Sequence, residues 1–342
     1  SRPFPSLQSG FSDRMRDGSA EGFRGGTPRK IPADGESGEN GKPVNAPGKA
    51  LTIFRRCATL QGMEEMTYKS EYFSPAATLE CGQVFRFFRD EERGGYFFFS
   101  ADKACFLREE GEVTRLVCED GDRAYFENLF DVNADAAALV EEAKSFGVPF
   151  LSRAAEFSKG LRILRQDRAE CFLSFVLSQQ NNIPRIRKML FALCAALGGK
   201  KTFLGRDYFS FPALPDIAAK DETFYRALGF GYRAKYIPRD AEMLLETDFS
   251  ALGKLRGEGL KKALVAYPGV GNKVADCIAL FAFGDKSAFP VDTWVERLYR
   301  EDFGGRETDR AKINRFFSEK FGEHAGVFQQ YLFYYKRETE RG

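Results

Sequence analysis

The feature that most constrains this chain is a single change of hydrophobic period near residue 150. From Thr67 to about Phe150, apolar residues come in short aromatic and β-branched runs: "QVFRFFR", "YFFFS", "KACFLRE" and "VTRLVCE". Turn-forming stretches, "DEERGG", "SAD" and "EEGE", separate them, so they read as antiparallel strands. "NADAAALVEEAKSF" then reads as a helix with Asn133 as its N-cap. Beyond Leu151 the spacing is helical, in "RAECFLSFVLSQQ", "IPRIRKMLFALCAALGG", "DETFYRALGFGY", "EGLKKALVAYPGVG", "NKVADCIALFAFG", "DTWVERLYR" and "AGVFQQYLFYYKRE". One such change predicts an α+β fold, with a small antiparallel β-rich domain over 67–150 and a larger all-α domain over 151–340.

Residues 1–62 are rich in Gly, Pro and Ser and poor in large apolar side chains. They bury too little to offset the entropy of ordering, so they are expected to be a disordered or non-native tail. Met63 or Met66 stands just before the first patterned segment.

Composition removes several kinds of chemistry. The seven cysteines are scattered without a CxxC pair, which fits reduced thiols in an intracellular protein and no zinc or iron–sulfur site. The one histidine, His324, leaves no Ser-His-Asp triad and no His/Cys metal cluster. No apolar stretch reaches membrane-spanning length. A net charge of +2 does not announce a nucleic-acid partner, so any DNA-binding surface must be local.

"GLKKALVAYPGVGNKVADCIALFAF" reads as helix, tight turn, helix. Gly269 and Gly271 would permit the close backbone of such a turn. A helix starting near Asn272 leaves backbone N–H groups unpaired at its positive end, which suits a phosphate. A purely structural hairpin would need nothing more. Lys273, however, sits in the first turn, where the helix dipole opposes a cation. A lysine of ordinary pKa is neutral in about one molecule in 2,500 at pH 7. A dry pocket and the dipole together would largely close that gap of about 4 to 5 kcal/mol. Cys277, one turn on, would help wall the pocket. In "SAFPVDTWVERLYR", Asp292 precedes a helix and reads as an N-cap. Thr293 with Glu296 offers an alternative capping box that would leave Asp292 free for other work.

"PGVGNKVADC" followed by "FPVDTW" resembles the helix-hairpin-helix DNA glycosylases. "ECGQVFRFF", "LRILRQDRAECFLSFVLSQQNNIPRI" and "LGFGYRAKY" narrow the resemblance to the 8-oxoguanine DNA glycosylases, from about residue 72 to 335. The resemblance implies a bifunctional DNA N-glycosylase and AP lyase acting on 8-oxoguanine in double-stranded DNA, preferably opposite cytosine. Lys273 would be the nucleophile and Asp292 its charge-stabilising partner. Gly82 would accept from the N7–H that distinguishes the lesion from guanine. Phe333 and Cys277 would face the flipped base from either side, and Gln329 would read its Watson–Crick edge. Arg185 and Arg233 would read the orphaned cytosine, with Tyr232 as a wedge and Gln180 filling the gap. The hairpin residues Gly269, Val270, Gly271 and Asn272 would hold the DNA backbone.

The resemblance also implies a monomer without a cofactor or catalytic metal, a structural monovalent cation at the hairpin, and an intracellular, DNA-associated location. Two positions depart from the family. Gln180 stands where many members begin an Asn-Asn-Asn run, and Trp294 stands where animal members carry a histidine near a phosphate. The alternatives are a monofunctional alkylpurine-type glycosylase, which has no use for Lys273, and a non-enzymatic helix-hairpin-helix module, which has none for Asp292, Gly82 and Phe333 together.

Overall fold

The computed structural model describes residues 62–340. The expected tail lies outside the described residues, except for Gly62. The meander forms as the runs predict: β2 (Phe87–Asp90), β3 (Gly95–Ser100), β4 (Lys103–Glu110) and β5 (Val113–Glu119) pair antiparallel in succession. A further strand, β1 (Met63–Lys69), pairs with β5 and makes the order β1-β5-β4-β3-β2. Its charged sequence hid it, although Met66 and Tyr68 are buried in the sheet's apolar core and Glu65 pairs with Arg115.

The strand β3, "GYFFFS", is buried along its whole length. Tyr96 and Phe98 face one apolar cluster with Phe73, Phe126 and Phe130, while Phe97 and Phe99 face another with Phe203 and Tyr208. The second cluster rests on a small hairpin, Lys200–Phe203 with Arg206–Phe209, inside the stretch expected to be all helical. With both faces covered, the run has no reason to alternate.

The helices that the site uses are α1 (Pro75–Glu80), α2 (Ala136–Ser145), α3 (Arg168–Leu177), α4 (Ile183–Leu197), α5 (Gly257–Val265), α6 (Asn272–Phe283), α7 (Thr293–Glu301), α8 (Arg310–Phe321) and α9 (Ala325–Thr339). The cap of α2 is Asp135, which accepts from the Ala138 N–H at 2.9 Å, and not Asn133 as expected. Residues 131–134 close their own turn through Ala134 N–H and Asp131 C=O at 2.9 Å, so the helix starts later. The α6 helix is buried from Val274 to Phe283 and stacks Phe281 on Phe175 of α3 at 5.3 Å. The fully buried Arg86 ties the sheet to the helices. It donates to Glu170 at 2.9 Å, to the Phe209 carbonyl at 2.7 Å and to the Ala101 carbonyl at 3.3 Å.

Candidate active site

The hairpin forms between α5 and α6. Gly269 has φ +75°, and a Cβ there would lie 2.7 Å from the Tyr236 ring, so both backbone and packing demand glycine. Gly271, expected to be strained as well, is extended at φ −90° and merely precedes the helix. It is exposed, with open space where a side chain would stand. No side chain caps α6, so its first N–H groups remain available to an anion, with Asn272 exposed beside them and Val270 buried beneath.

Lys273 follows in the first turn of α6. Its ammonium lies 5.6 Å from the centroid of Phe175, whose ring is held edge-on by Phe85 at 5.7 Å. Burial pushes the Cys277 thiol up to about 11, with Lys273 pulling the other way, so this cysteine is neutral at physiological pH. Asp292 is the N-cap of α7, its Oδ1 accepting from the Val295 N–H at 2.9 Å. The N-cap reading of Asp292 thus holds, and the alternative capping box of Thr293 and Glu296 does not form. Thr293 is exposed, and Glu296 binds Arg310 through two bonds of 2.9 and 2.8 Å. Burial raises the pKa of Asp292, while the Val295 N–H and then Lys273 draw it back down.

A cleft of about 790 Å³ gathers Gly82, Gln180, Tyr232, Gly271, Asn272, Lys273, Asp292, Trp294 and Phe333. Gly82 has φ +90° and is packed against Phe333 and Arg337. Its neighbour Gln83, wholly buried, fixes this bend from behind. The Gln83 amide donates to the Thr78 and Arg162 carbonyls at 2.8 and 2.7 Å and accepts from the Leu164 N–H at 2.9 Å. Thus the loop between α1 and β2 brings Gly82 into a largely helical cleft.

Of the other expected residues, Cys277, Gln329, Arg185, Arg233, Gly269 and Val270 do not line this cleft. Cys277 and Gln329 are buried, only 4% and 3% exposed, and the Gln329 Oε1 accepts from Gln330 at 2.7 Å. Tyr232 is exposed on the rim, 4.5 Å from the Arg233 guanidinium. Gln180 is exposed with φ +44°. Arg185 is exposed at the start of α4. Arg233 is buried instead, with its donors on the Gln179 carbonyl at 2.9 Å and the Gln180 carbonyl at 3.0 Å.

Lys261, Asp276 and Asn314 also line the cleft and escaped the sequence reading. Asp276, one turn past Lys273, pairs with Lys261 at 3.0 Å and accepts from Asn314 at 3.1 Å. Burial raises its pKa to about 7. The spacing 273, 276, 277 on one helical face was the only sequence signal for it.

Two family models divide the chain between them. Residues 66–172 match the 8-oxoguanine DNA glycosylase N-terminal domain, and residues 173–323 match the HhH-GPD superfamily base excision DNA repair protein. The chain is 36% identical over 199 residues to the N-glycosylase/DNA lyase OGG1 of Arabidopsis thaliana, covering 54% of each chain. It is 31% identical to the N-glycosylase/DNA lyase of Saccharomyces cerevisiae, covering 67% of this chain and 68% of the relative. The matched region thus spans about half the length of the plant relative. The structure of the Clostridium acetobutylicum 8-oxoguanine glycosylase/lyase, in complex with DNA containing cytosine opposite 8-oxoguanine, superposes with a TM-score of 0.76 at 32% identity. That match covers 81% of this chain and 96% of the other. Fold and cleft therefore define a base-excision repair protein of the helix-hairpin-helix superfamily. Within it, this chain belongs to the 8-oxoguanine DNA glycosylases.

Proposed function

We propose that this chain excises 8-oxoguanine from double-stranded DNA and then nicks the strand at the resulting site. One observation carries the proposal: Lys273, at the mouth of an uncapped helix, shares a cleft with Asp292, Gly82 and Phe333. The hairpin N–H groups would hold the DNA backbone while the damaged nucleotide enters the cleft. The free amine of Lys273 would bond to C1′ as the C1′–N9 bond breaks, and the departing base would take up a proton. Asp292 would offset the positive charge growing on the sugar. The amine then loses a proton and the C1′–O4′ bond breaks, O4′ taking up a proton as the sugar ring opens; the resulting protonated imine acidifies the 2′ hydrogen. Its removal expels the 3′ phosphate and cuts the strand.

The Gly82 carbonyl would accept from N7–H, present in the lesion and absent in guanine. Phe333 would stack on the base, with Cys277 and Gln329 coming to its other face and edge as the cleft fills. Tyr232 would act as the wedge and Gln180 as the filler, with exposed Arg185 turned to the orphaned cytosine. Arg233 would first position the 179–180 loop and reach the cytosine only as that loop adjusts. A monovalent cation at the hairpin would rest on main-chain carbonyls of the Tyr267–Gly271 turn, hard oxygen donors suited to such an ion, and would take no part in the chemistry.

The test is borohydride trapping on 8-oxoguanine duplexes with cytosine or adenine opposite. Wild type should trap and excise opposite cytosine, whereas Lys273→Gln should bind the lesion duplex and trap nothing. Trapping by the variant would overturn the nucleophile. Excision by the wild type without trapping would favour the monofunctional reading.

A further inference from the structure

Arg337 lies in the last turn of α9, with no role in the chemistry at Lys273. It is 3% exposed, yet it lines the cleft. Its Nη2 donates to the Glu80 carbonyl at the end of α1, and its Nε to the Glu338 carboxylate at 2.9 Å. Its Nη1 is buried and has no hydrogen-bond partner among the described residues. A Cβ placed on Gly82 would lie 3.4 Å from this Nη1 and 3.4 Å from the Phe333 ring. The guanidinium centre stands 5.3 Å from the Phe333 centroid. One unpaired cationic donor therefore meets the recognition glycine and the stacking ring at a single point.

We propose that Arg337 is a base-pocket residue whose Nη1 donates to a carbonyl oxygen beside N7 of the extruded base. The inference rests on the 8-oxoguanine reading above. 8-Oxoguanine carries a carbonyl oxygen on each side of N7, at C6 and C8. A base that presents N7–H to the Gly82 carbonyl thus brings an acceptor to a donor placed next to Gly82. The arginine fork suits the double duty, since one arm holds the Glu80 carbonyl while the other is offered to the ligand. The ligand supplies the acceptor that the fold withholds, and a buried donor left unpaired penalises any base lacking an oxygen there.

The experiment compares two reactions of the same protein: single-turnover excision of 8-oxoguanine opposite cytosine, and cleavage at a preformed abasic site, where no base is present. For Arg337→Met, which keeps the length and loses the donors, the ratio of excision to abasic-site cleavage should fall at least 10-fold. Arg337→Lys, which keeps the charge without the fork, should recover part of that loss and provides the readout if the methionine variant folds poorly. If both reactions fall together with the melting temperature, Arg337 merely supports the fold and the inference is overturned. An unchanged ratio overturns it as well. A wild type that cleaves abasic sites but leaves 8-oxoguanine in place would instead strike at the functional reading.

Discussion

The two walls of the cleft reach their geometry by different routes. The hairpin wall is almost continuous in sequence: Gly269 turns the chain, Gly271 ends the turn, and Lys273 follows in the first turn of α6. Local rules suffice there, namely a left-handed glycine and an uncapped helix start. The facing wall joins Gly82 to Phe333 and Arg337, from opposite ends of the described chain. Its geometry depends on Gln83 docking the sheet domain against the 162–164 segment. On this reading, the chemistry sits where the chain can build it alone, and recognition sits where two distant segments must meet.

The largest expected effect separates chemistry from folding at Asp292. Asparagine caps a helix about as well as aspartate, whereas alanine forfeits about 1 kcal/mol. Asp292→Asn should therefore keep its unfolding midpoint while excision falls by roughly 10²- to 10³-fold. Asp292→Ala should lose both. The pH profile follows from burial, which raises the folded pKa of this carboxyl. Its protonated form is favoured by the fold, so its contribution to stability is full below the unfolded pKa and is lost as pH rises through the folded one. Activity runs the opposite way, because it needs the carboxylate. Wild-type excision should drop on acidification from above the usual carboxylate range, and the asparagine variant should lack that limb. Equal destabilisation by Asn and Ala would make this aspartate part of the scaffold only.

The next test sets the two glycines against each other. Gly269→Ala meets both a left-handed backbone and a ring carbon at 2.7 Å. The cost should reach roughly 3 kcal/mol in urea unfolding. For Gly82→Ala the neighbours stand at 3.4 to 3.5 Å, so mainly the backbone cost of about 1 to 2 kcal/mol applies. Excision should invert this ranking relative to stability, because on the reading proposed above a shift at Gly82 moves the carbonyl that would accept from N7–H. A Gly82→Ala protein that excises at the wild-type rate would break the contrast between the walls.

The same contrast explains what the sequence disclosed. The meander and the hairpin were legible because their signals are contiguous. The small hairpin Lys200–Phe203 with Arg206–Phe209 was not. Its two-residue turn holds Leu204 at φ +48° and Gly205 at φ +73°, and leucine is a poor advertisement for a turn needing two positive φ values. Arg233, expected from the resemblance to read the orphaned cytosine, is instead held by the carbonyls of Gln179 and Gln180, which nothing local in the sequence shows. Arg337 was masked inside "YYKRE", an ordinary charged helix end, although it shares a helical face with Gln329 and Phe333. Capping differs from expectation at Asn133, whose place Asp135 takes, whereas at Asp292 the N-cap reading holds and the alternative box at Thr293 does not form.

The smallest effect concerns the rim loop below Tyr232. Gln180 holds φ +44°, a left-handed conformation that non-glycine residues avoid. Asparagine visits that region more readily, because its short amide can bond locally. The family resemblance places asparagine at this position, so the glutamine keeps an amide but bears more backbone strain. Gln180→Asn should therefore raise stability by about 0.5 kcal/mol, a fraction of the left-handed penalty of about 1 to 2 kcal/mol. Excision opposite cytosine should change by less than about 3-fold, since on the proposed reading an amide would still fill the vacated space and the Arg233 bonds to this loop go to backbone carbonyls. The measurements are paired urea midpoints and single-turnover rates. A variant that is no more stable would show that the loop carries no strain at Gln180. A large loss of rate would mean that the extra methylene of glutamine itself occupies the gap.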